Sequence, residues 1–266
     1  MQNMLIFKYK ERCEGGSVRF RTEGEKMSTP IENYRAMVEQ PWGKIFYDVI
    51  FNQLKFTDSK RLKILDFGAG FCITAKYYAK NHDVTALEPN EEMYKLRFES
   101  SDYTLVTQGL DYLKTVADNT YDVVLCHNVL EYVENKAAVL TELKRVLKPG
   151  GRLSIIKHNL FGRVFGNAVL TDNPKAALDL LDEKPEDSMF GNRDVYTNEY
   201  LTDFFGTEMK LAELYGIRAF YGLSSNNEIK YTDEWYNSML ELETRVGTIE
   251  DFKKVSFFNH LIFEKQ

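Results

Sequence analysis

Lys63-Ile64-Leu65-Asp66-Phe67-Gly68-Ala69-Gly70-Phe71-Cys72 is the stretch that decides the fold. A short apolar run ending at glycines reads as a buried strand that stops in a tight turn. Gly68 and Gly70 allow that turn and a close backbone approach to a ligand. Residues 72–81 read as a helix, whose first N–H groups are left free. In an open α/β sheet, ligands bind beyond the carboxyl ends of the strands, where this turn lies. A dinucleotide fingerprint would need a third glycine at position 73, which is Ile73, so an NAD-dependent oxidoreductase is disfavoured. Asp66 stands before the glycines, which disfavours a nearby anion and suits a cationic ligand.

Outward from this turn, strands and helices alternate. Val84-Thr85-Ala86-Leu87 is a second strand ending at Glu88, 22 residues after Asp66, where a carboxylate can accept both ribose hydroxyls. A helix is predicted over about 90–99, a third strand at 104–107, and a fourth over Tyr121-Asp122-Val123-Val124-Leu125-Cys126. A helix at 136–147 stops at Lys148-Pro149-Gly150-Gly151, and a fifth strand runs from Arg152 to Lys157. Apolar strands separated by helices imply parallel pairing through right-handed crossovers. Residues 159–198 mix Gly, Asn, Asp, Pro and Phe without a strand and read as an insertion over the carboxyl edge. A helix near 198–206, a strand at about 210–220, a helix near 232–244 and a last strand from Ser256 to Phe263 complete the pattern.

Before the core, apolar residues at three- and four-residue steps predict helix over 31–56. Residues 1–26 show no sustained period. Glu23-Gly24-Glu25-Lys26 can be encoded almost wholly in G and A, like a bacterial ribosome-binding site, so Met27 is the expected start and 1–26 a flexible leader. The division expected is therefore leader 1–26, N-terminal helical arm 27–62, ligand-binding core 63–158, lid 159–198 and completing segment 199–266.

The chain has 266 residues, 44% hydrophobic and 28% charged, enough for one α/β domain with a lid. No apolar run approaches the roughly 18–20 residues of a membrane span. Cys13, Cys72 and Cys126 are too few and scattered for a disulfide framework, and no Cys/His pair has metal-ligand spacing. A cytoplasmic chain without metal or membrane partner is expected. A net charge of −6 argues against coating nucleic acid through the whole surface but leaves room for a local basic patch.

The chain resembles the class I S-adenosylmethionine (SAM)-dependent methyltransferases. The residues carrying the likeness are Asp66-x-Gly68-x-Gly70, Glu88, the stretch from Tyr121 to Leu130-Glu131, and Leu147-Lys148-Pro149-Gly150-Gly151. The resemblance implies a Rossmann-like sheet, mostly parallel with an antiparallel last strand. It implies that Asp66, Gly68, Ala69 and Gly70 cradle the methionine part of SAM. Glu88 would hold the ribose, and Gly109, Leu110 and Asp111 would border the adenine. That family often has glycine where Cys72 stands.

A closer likeness is to the bacterial tRNA 5-carboxymethoxyuridine methyltransferases. It rests on Arg35 and Gly43, Cys126-His127-Asn128-Val129-Leu130-Glu131-Tyr132-Val133, Asn159-x-x-Gly162 with Asn167, Arg193-Asp194 and Leu240-Glu241-Leu242-Glu243-Thr244-Arg245. It implies methyl ester formation on the carboxylate of a modified wobble uridine, with S-adenosylhomocysteine as product. An ionised carboxylate needs no general base but needs a cation to orient it, and arginine suits it best. Arg35, Arg193 and Arg245 are the candidates, and Arg35 could instead hold the SAM carboxylate. Asn159 joins them from the resemblance. His127 and His158 follow the fourth and fifth strands at the active end. Either could be a base for a hydroxyl acceptor, and His127 could instead pack beside the adenine. The best-known members carry a lysine and arginine run before Arg193, whereas this chain has Asp179, Asp182, Glu183, Lys184, Glu186 and Asp187. That contrast favours a small-molecule carboxyl or hydroxyl acceptor over tRNA. A SAM-binding protein without catalysis is the third reading.

Overall fold

The computed structural model describes residues 10–12, 18–20, 29–56, 60–182, 184, 186–188 and 191–266. Lys10–Arg12 pairs antiparallel with Val18–Phe20. The rest of the expected leader, with Cys13 and Glu23-Gly24-Glu25-Lys26, lies outside the described residues, as does Met27.

Two prolines start the first two helices. Thr29 caps α1 (Pro30–Val38) in a capping box with Glu32, each side chain bonding the other's backbone N–H. Pro41 opens α2 (Pro41–Gln53). One helix was expected across 31–56. Two form because Pro41 fixes an extended Gln40, and the chain turns so tightly that a Cβ on Gly43 would stand 2.3 Å from the Val38 carbonyl oxygen. α2 buries Ile45, Val49 and Ile50 against Ile156, Ile217 and Phe258, so it covers the sheet rather than standing off as an arm.

The core then alternates as read: β1 (Lys63–Phe67), α3 (Ile73–Tyr78), β2 (Asp83–Leu87), α4 (Glu91–Lys95), β3 (Tyr103–Val106), α5 (Leu110–Thr115), β4 (Tyr121–His127), α6 (Lys136–Val146) and β5 (Leu147–His158). The Lys148-Pro149-Gly150-Gly151 segment loops out of register between Tyr121 and Val123, with Gly150 at φ +73°. The expected strandless stretch 159–198 is corrected. It holds α7 (Leu160–Phe165), a π turn (Gly166–Leu170), α8 (Pro174–Leu181) and a ribbon of Glu186–Ser188 with Gly191–Arg193. α7 lies so close to the chain before the last strand that a Cβ on Gly162 would meet the Ser256 carbonyl oxygen at 2.1 Å. α9 (Asn198–Phe205), β6 (Met209–Ile217), α10 (Asp233–Val246), α11 (Glu250–Val255) and β7 (Phe258–Lys265) follow.

The seven strands lie in the order β6-β7-β5-β4-β1-β2-β3. β7 is antiparallel to both neighbours and all other pairings are parallel. Strand residues alternate between two buried layers. Leu65, Val124, Cys126 and Leu153 pack with α6 and α9, while Ile64, Val123, Leu125 and Ile262 pack with α3. A strand buried on both faces must be apolar at nearly every position, which is why these strands are legible as continuous runs. Among the described residues, no helix is long and apolar enough to cross a membrane.

Candidate active site

The carboxyl ends of β1, β2, β4 and β5 share one edge. At β1 the turn is built as its glycines require. Gly68 and Gly70 have φ of +72° and +55°, and the Gly68 and Ala69 N–H groups donate to the Leu87 carbonyl at 2.8 and 3.0 Å. A Cβ on Gly68 would stand 2.3 Å from a Val129 methyl carbon. Cys72 also sits in the left-handed region, at φ 58°, a conformation that glycine, the residue the class I resemblance implies there, adopts without strain. Its thiol is buried, and that burial pushes it up to about 12, so it is inert at neutral pH.

Glu88 closes β2. Its carboxylate accepts from the Gly70 N–H at 2.7 Å and the Asn90 N–H at 2.8 Å, tying the glycine turn to the start of α4. Gly109 caps α5 and faces the Pro89 ring, next to Glu88. Leu110 packs into the core, while Asp111 is exposed and pairs with Lys114.

Among the described residues, Asp66 Oδ2 and His127 Nδ1 are buried at this edge without a hydrogen-bond partner, as are Asn128 Oδ1, Glu131 Oε2 and His158 Nδ1 further along it. Orphaned acceptors beside a side-chain-free turn suit a cationic ligand, so the residues present fit SAM. Asp66, Gly68, Ala69 and Gly70 would hold its methionine end and Glu88 its ribose.

Burial raises the Asp66 carboxyl to about 7, against the pull of the Ala75 N–H, and the negative Glu88 adds to the rise. The folded value exceeds the unfolded one, so this contribution to stability is complete below about 4 and lost as pH rises through about 7. Unliganded protein should therefore melt progressively lower from pH 5 to pH 8, and Asp66→Asn should flatten that slope. Parallel slopes in thermal melts would remove Asp66 as its source.

The acceptor side is a cluster of cations around His158. The His158 N–H donates to Glu131 Oε1 at 2.8 Å, and its ring lies 4.7 Å from that of Phe258. Burial holds the imidazole far below its usual value, and the fields of Arg193, Arg163, Lys157 and Arg218 push it further down. Lys157 donates to the His158 carbonyl and is lowered to about 8 by burial. Arg193 bonds the Tyr132 hydroxyl through Nε at 3.1 Å. Arg218, at φ 61° just past β6, is buried and stacked between Trp42 at 4.8 Å, Phe257 at 5.4 Å and Tyr221 at 5.5 Å. Its Nε is buried without a hydrogen-bond partner among the described residues.

Of the expected acceptor residues, the structure brings His158 and Arg193 together and separates the rest. Asn159 donates its amide N–H groups to the Lys254 and Ser256 carbonyls, both at 2.8 Å, which locks the α11–β7 corner. Arg245 lies apart from them, its side chain 75% exposed and paired with Glu241. Arg35 donates to the Leu96 carbonyl, pairs with Glu39 and lies over the Phe98 ring, flanking Phe71 of the cofactor turn rather than joining Arg193. Lys157, Arg163 and Arg218 were missed. Arg218 carries the same signal that singled out His127 and His158, a polar residue directly after an apolar strand at the active end.

Residues 65–155 match the family model of the methyltransferase domain. A thiol S-methyltransferase from Rattus norvegicus is 32% identical over 119 residues, 41% of this chain and 48% of that protein. The tRNA 5-carboxymethoxyuridine methyltransferase of Escherichia coli K12 is 29% identical over 118 residues, 41% of this chain and 45% of that protein. The chain thus spans about half the length of the curated relatives it matches. A chain from the complex between the Haloferax volcanii Trm112 methyltransferase activator and a methyltransferase superposes with TM-score 0.58 at 13% identity, covering 90% of this chain and 99% of that one. The fold is the mostly parallel, Rossmann-like sheet of the class I SAM-dependent methyltransferases. Within it, residues 65–155 match the methyltransferase domain.

Proposed function

We propose that this protein transfers a methyl group from SAM to a carboxylate oxygen, forming a methyl ester. The observation that carries the reading is the convergence of Lys157, Arg163, Arg193 and Arg218 on His158. SAM supplies an electrophilic methyl on a sulfonium whose departure leaves a neutral thioether. The protein's task is then to bring the acceptor oxygen in line and exclude water. A hydroxyl acceptor would need a base near neutrality, but burial holds His127 down to about 3 and His158 well below its usual value. A carboxylate is already ionised and needs only cations to orient it.

The wobble 5-carboxymethoxyuridine of tRNA is the acceptor that the E. coli relative and the sequence resemblance favour. The acidic stretch opposes it less than its sequence suggests. Asp179 is bonded by Lys184 at 2.6 Å and by Lys175 at 3.2 Å, and Lys184 also reaches Asp182. Glu183 and the side chains of Glu186 and Asp187 lie outside the described residues. A small-molecule carboxylate is the second reading, supported by the enclosure of Arg218, which is 3% exposed.

Labelled SAM incubated with tRNA lacking the terminal methyl ester tests this. Label in the methyl ester of carboxymethoxyuridine supports the tRNA reading. No label in tRNA but label in a panel of small carboxylates supports the second. SAM binding without turnover on any carboxylate sinks the proposal and leaves a binding protein. Arg218→Met should keep the fold, since an apolar side chain of similar length suits a site walled by aromatic rings and Glu243 keeps its three backbone N–H donors. It should raise the acceptor KM about tenfold and leave S-adenosylhomocysteine affinity unchanged. An unchanged acceptor KM would remove Arg218 from the acceptor site.

A further inference from the structure

We propose that Gln53, His260 and Ser154 form a positioning relay that holds His127 in its Nε2–H tautomer, leaving its Nδ1 lone pair to receive the ammonium group of the ligand's amino-acid end. The relay is a continuous chain of hydrogen bonds. Gln53 Nε2 donates to the Gly216 carbonyl at 2.9 Å, which fixes the amide orientation and turns Oε1 toward His260. Gln53 Oε1 can only accept, so His260 Nδ1, 2.9 Å away, carries the proton. His260 is wholly buried and held neutral by that burial, which leaves its Nε2 as an acceptor. Ser154 Oγ, 2.7 Å from that nitrogen, must donate its one proton there. The Ser154 oxygen then accepts from His127 Nε2 at 2.8 Å. Neutral His127 has one ring proton, now spent, so Nδ1 is a bare acceptor, and it is buried with no donor.

Register puts this acceptor on the right face of the sheet. Asp66 lies across from Leu125, and Leu125 across from Ser154. His127 is two residues beyond Leu125, so Asp66, Ser154 and His127 share one face. Asp66 Oδ2 is likewise buried on this face without a donor among the described residues. A carboxylate and an imidazole lone pair at one strand edge match a primary ammonium, which donates several hydrogen bonds and carries positive charge. An incoming carboxylate would meet a bare lone pair at His127 Nδ1 and, with Asp66 ionised, a second negative charge. The assignment of the ammonium to SAM rests on the methyltransferase reading; the tautomer does not.

Nitrogen-15 NMR of the unliganded protein, correlating imidazole nitrogens with ring protons, reads the tautomer directly. A protonated Nε2 and bare Nδ1 on His127 are expected, and a protonated Nδ1 would overturn the relay. Ser154→Ala then separates positioning from packing. Its affinity for S-adenosylhomocysteine should fall about tenfold, while that for 5′-methylthioadenosine, which lacks the amino-acid end, should hold. Equal loss for both ligands, or for neither, would overturn the ammonium role. Gln53→Leu, at a half-buried position, provides the same comparison where Ser154→Ala does not fold. Failure of wild type to bind either ligand would count against the ammonium role and the SAM reading together, with the NMR result on the tautomer unaffected.

Discussion

Glu243→Ala is expected to lower the unfolding free energy by about 3–5 kcal/mol, the largest stability effect of any single change considered for this chain. Glu243 is 1% exposed on the inner face of α10. Its Oε2 accepts from the Ala219 N–H at 2.7 Å, and its Oε1 from the Phe220 and Tyr221 N–H groups at 2.8 and 2.7 Å. These donors follow Arg218, whose left-handed backbone would otherwise leave the turn unsupported. Alanine would strand three backbone N–H groups and remove the carboxylate whose field favours the buried guanidinium. Glu243→Gln keeps one acceptor oxygen but aims an amide N–H at backbone donors, so it should lose somewhat less. Chemical denaturation reads both, and an alanine variant within about 1 kcal/mol of wild type would mean that water satisfies these groups.

Helical period explains why Glu243 is hidden from a reading of the sequence. In Leu240-Glu241-Leu242-Glu243-Thr244-Arg245, a stretch that carries the family resemblance, arginine is the residue type that suits a carboxylate. Residues two apart on a helix point about 200° from each other, so burying Glu243 turns Arg245 toward solvent. An acidic residue inside a helix reads as a solvated face unless the donors it serves are known, and those donors lie more than twenty residues away on another element. The cofactor turn poses no such difficulty. Asp66, Gly68 and Gly70 are contiguous, and Glu88 ends the adjacent strand, so one local motif carries that half of the site. The proposed acceptor half is assembled from Glu131, Lys157, His158, Arg163, Arg193 and Arg218, on segments that only the packing of α7, the ribbon and β6 brings together. The break at Pro41 could have been read from proline alone, but the apolar spacing runs on across it, and periodicity was given the greater weight. Residues 159–198 carry no legible elements because short helices rich in Gly and Asn show no clear period and the ribbon strands are only three residues long.

Glu88→Ala should weaken S-adenosylhomocysteine binding by roughly a hundredfold, about 3 kcal/mol, because two losses coincide. The first is the acceptor for the ribose hydroxyls, as the class I resemblance assigns it. The second belongs to this structure. Glu88 is 7% exposed, and both of its oxygens are engaged by backbone N–H groups, one of them from Gly70 in the left-handed region. Burial pushes its carboxyl up, and the Asn90 and Gly70 N–H groups pull it back. Without it the glycine turn loses its anchor to β2 beyond the two bonds to the Leu87 carbonyl, so the backbone that faces the methionine end is less well held. The two losses can be told apart. If only the ribose contact matters, adenosine should suffer as much as S-adenosylhomocysteine. If the loop anchor matters as well, the penalty on S-adenosylhomocysteine should exceed that on adenosine. Calorimetry with both ligands measures this difference, and unchanged affinity for either would place the nucleoside away from β2.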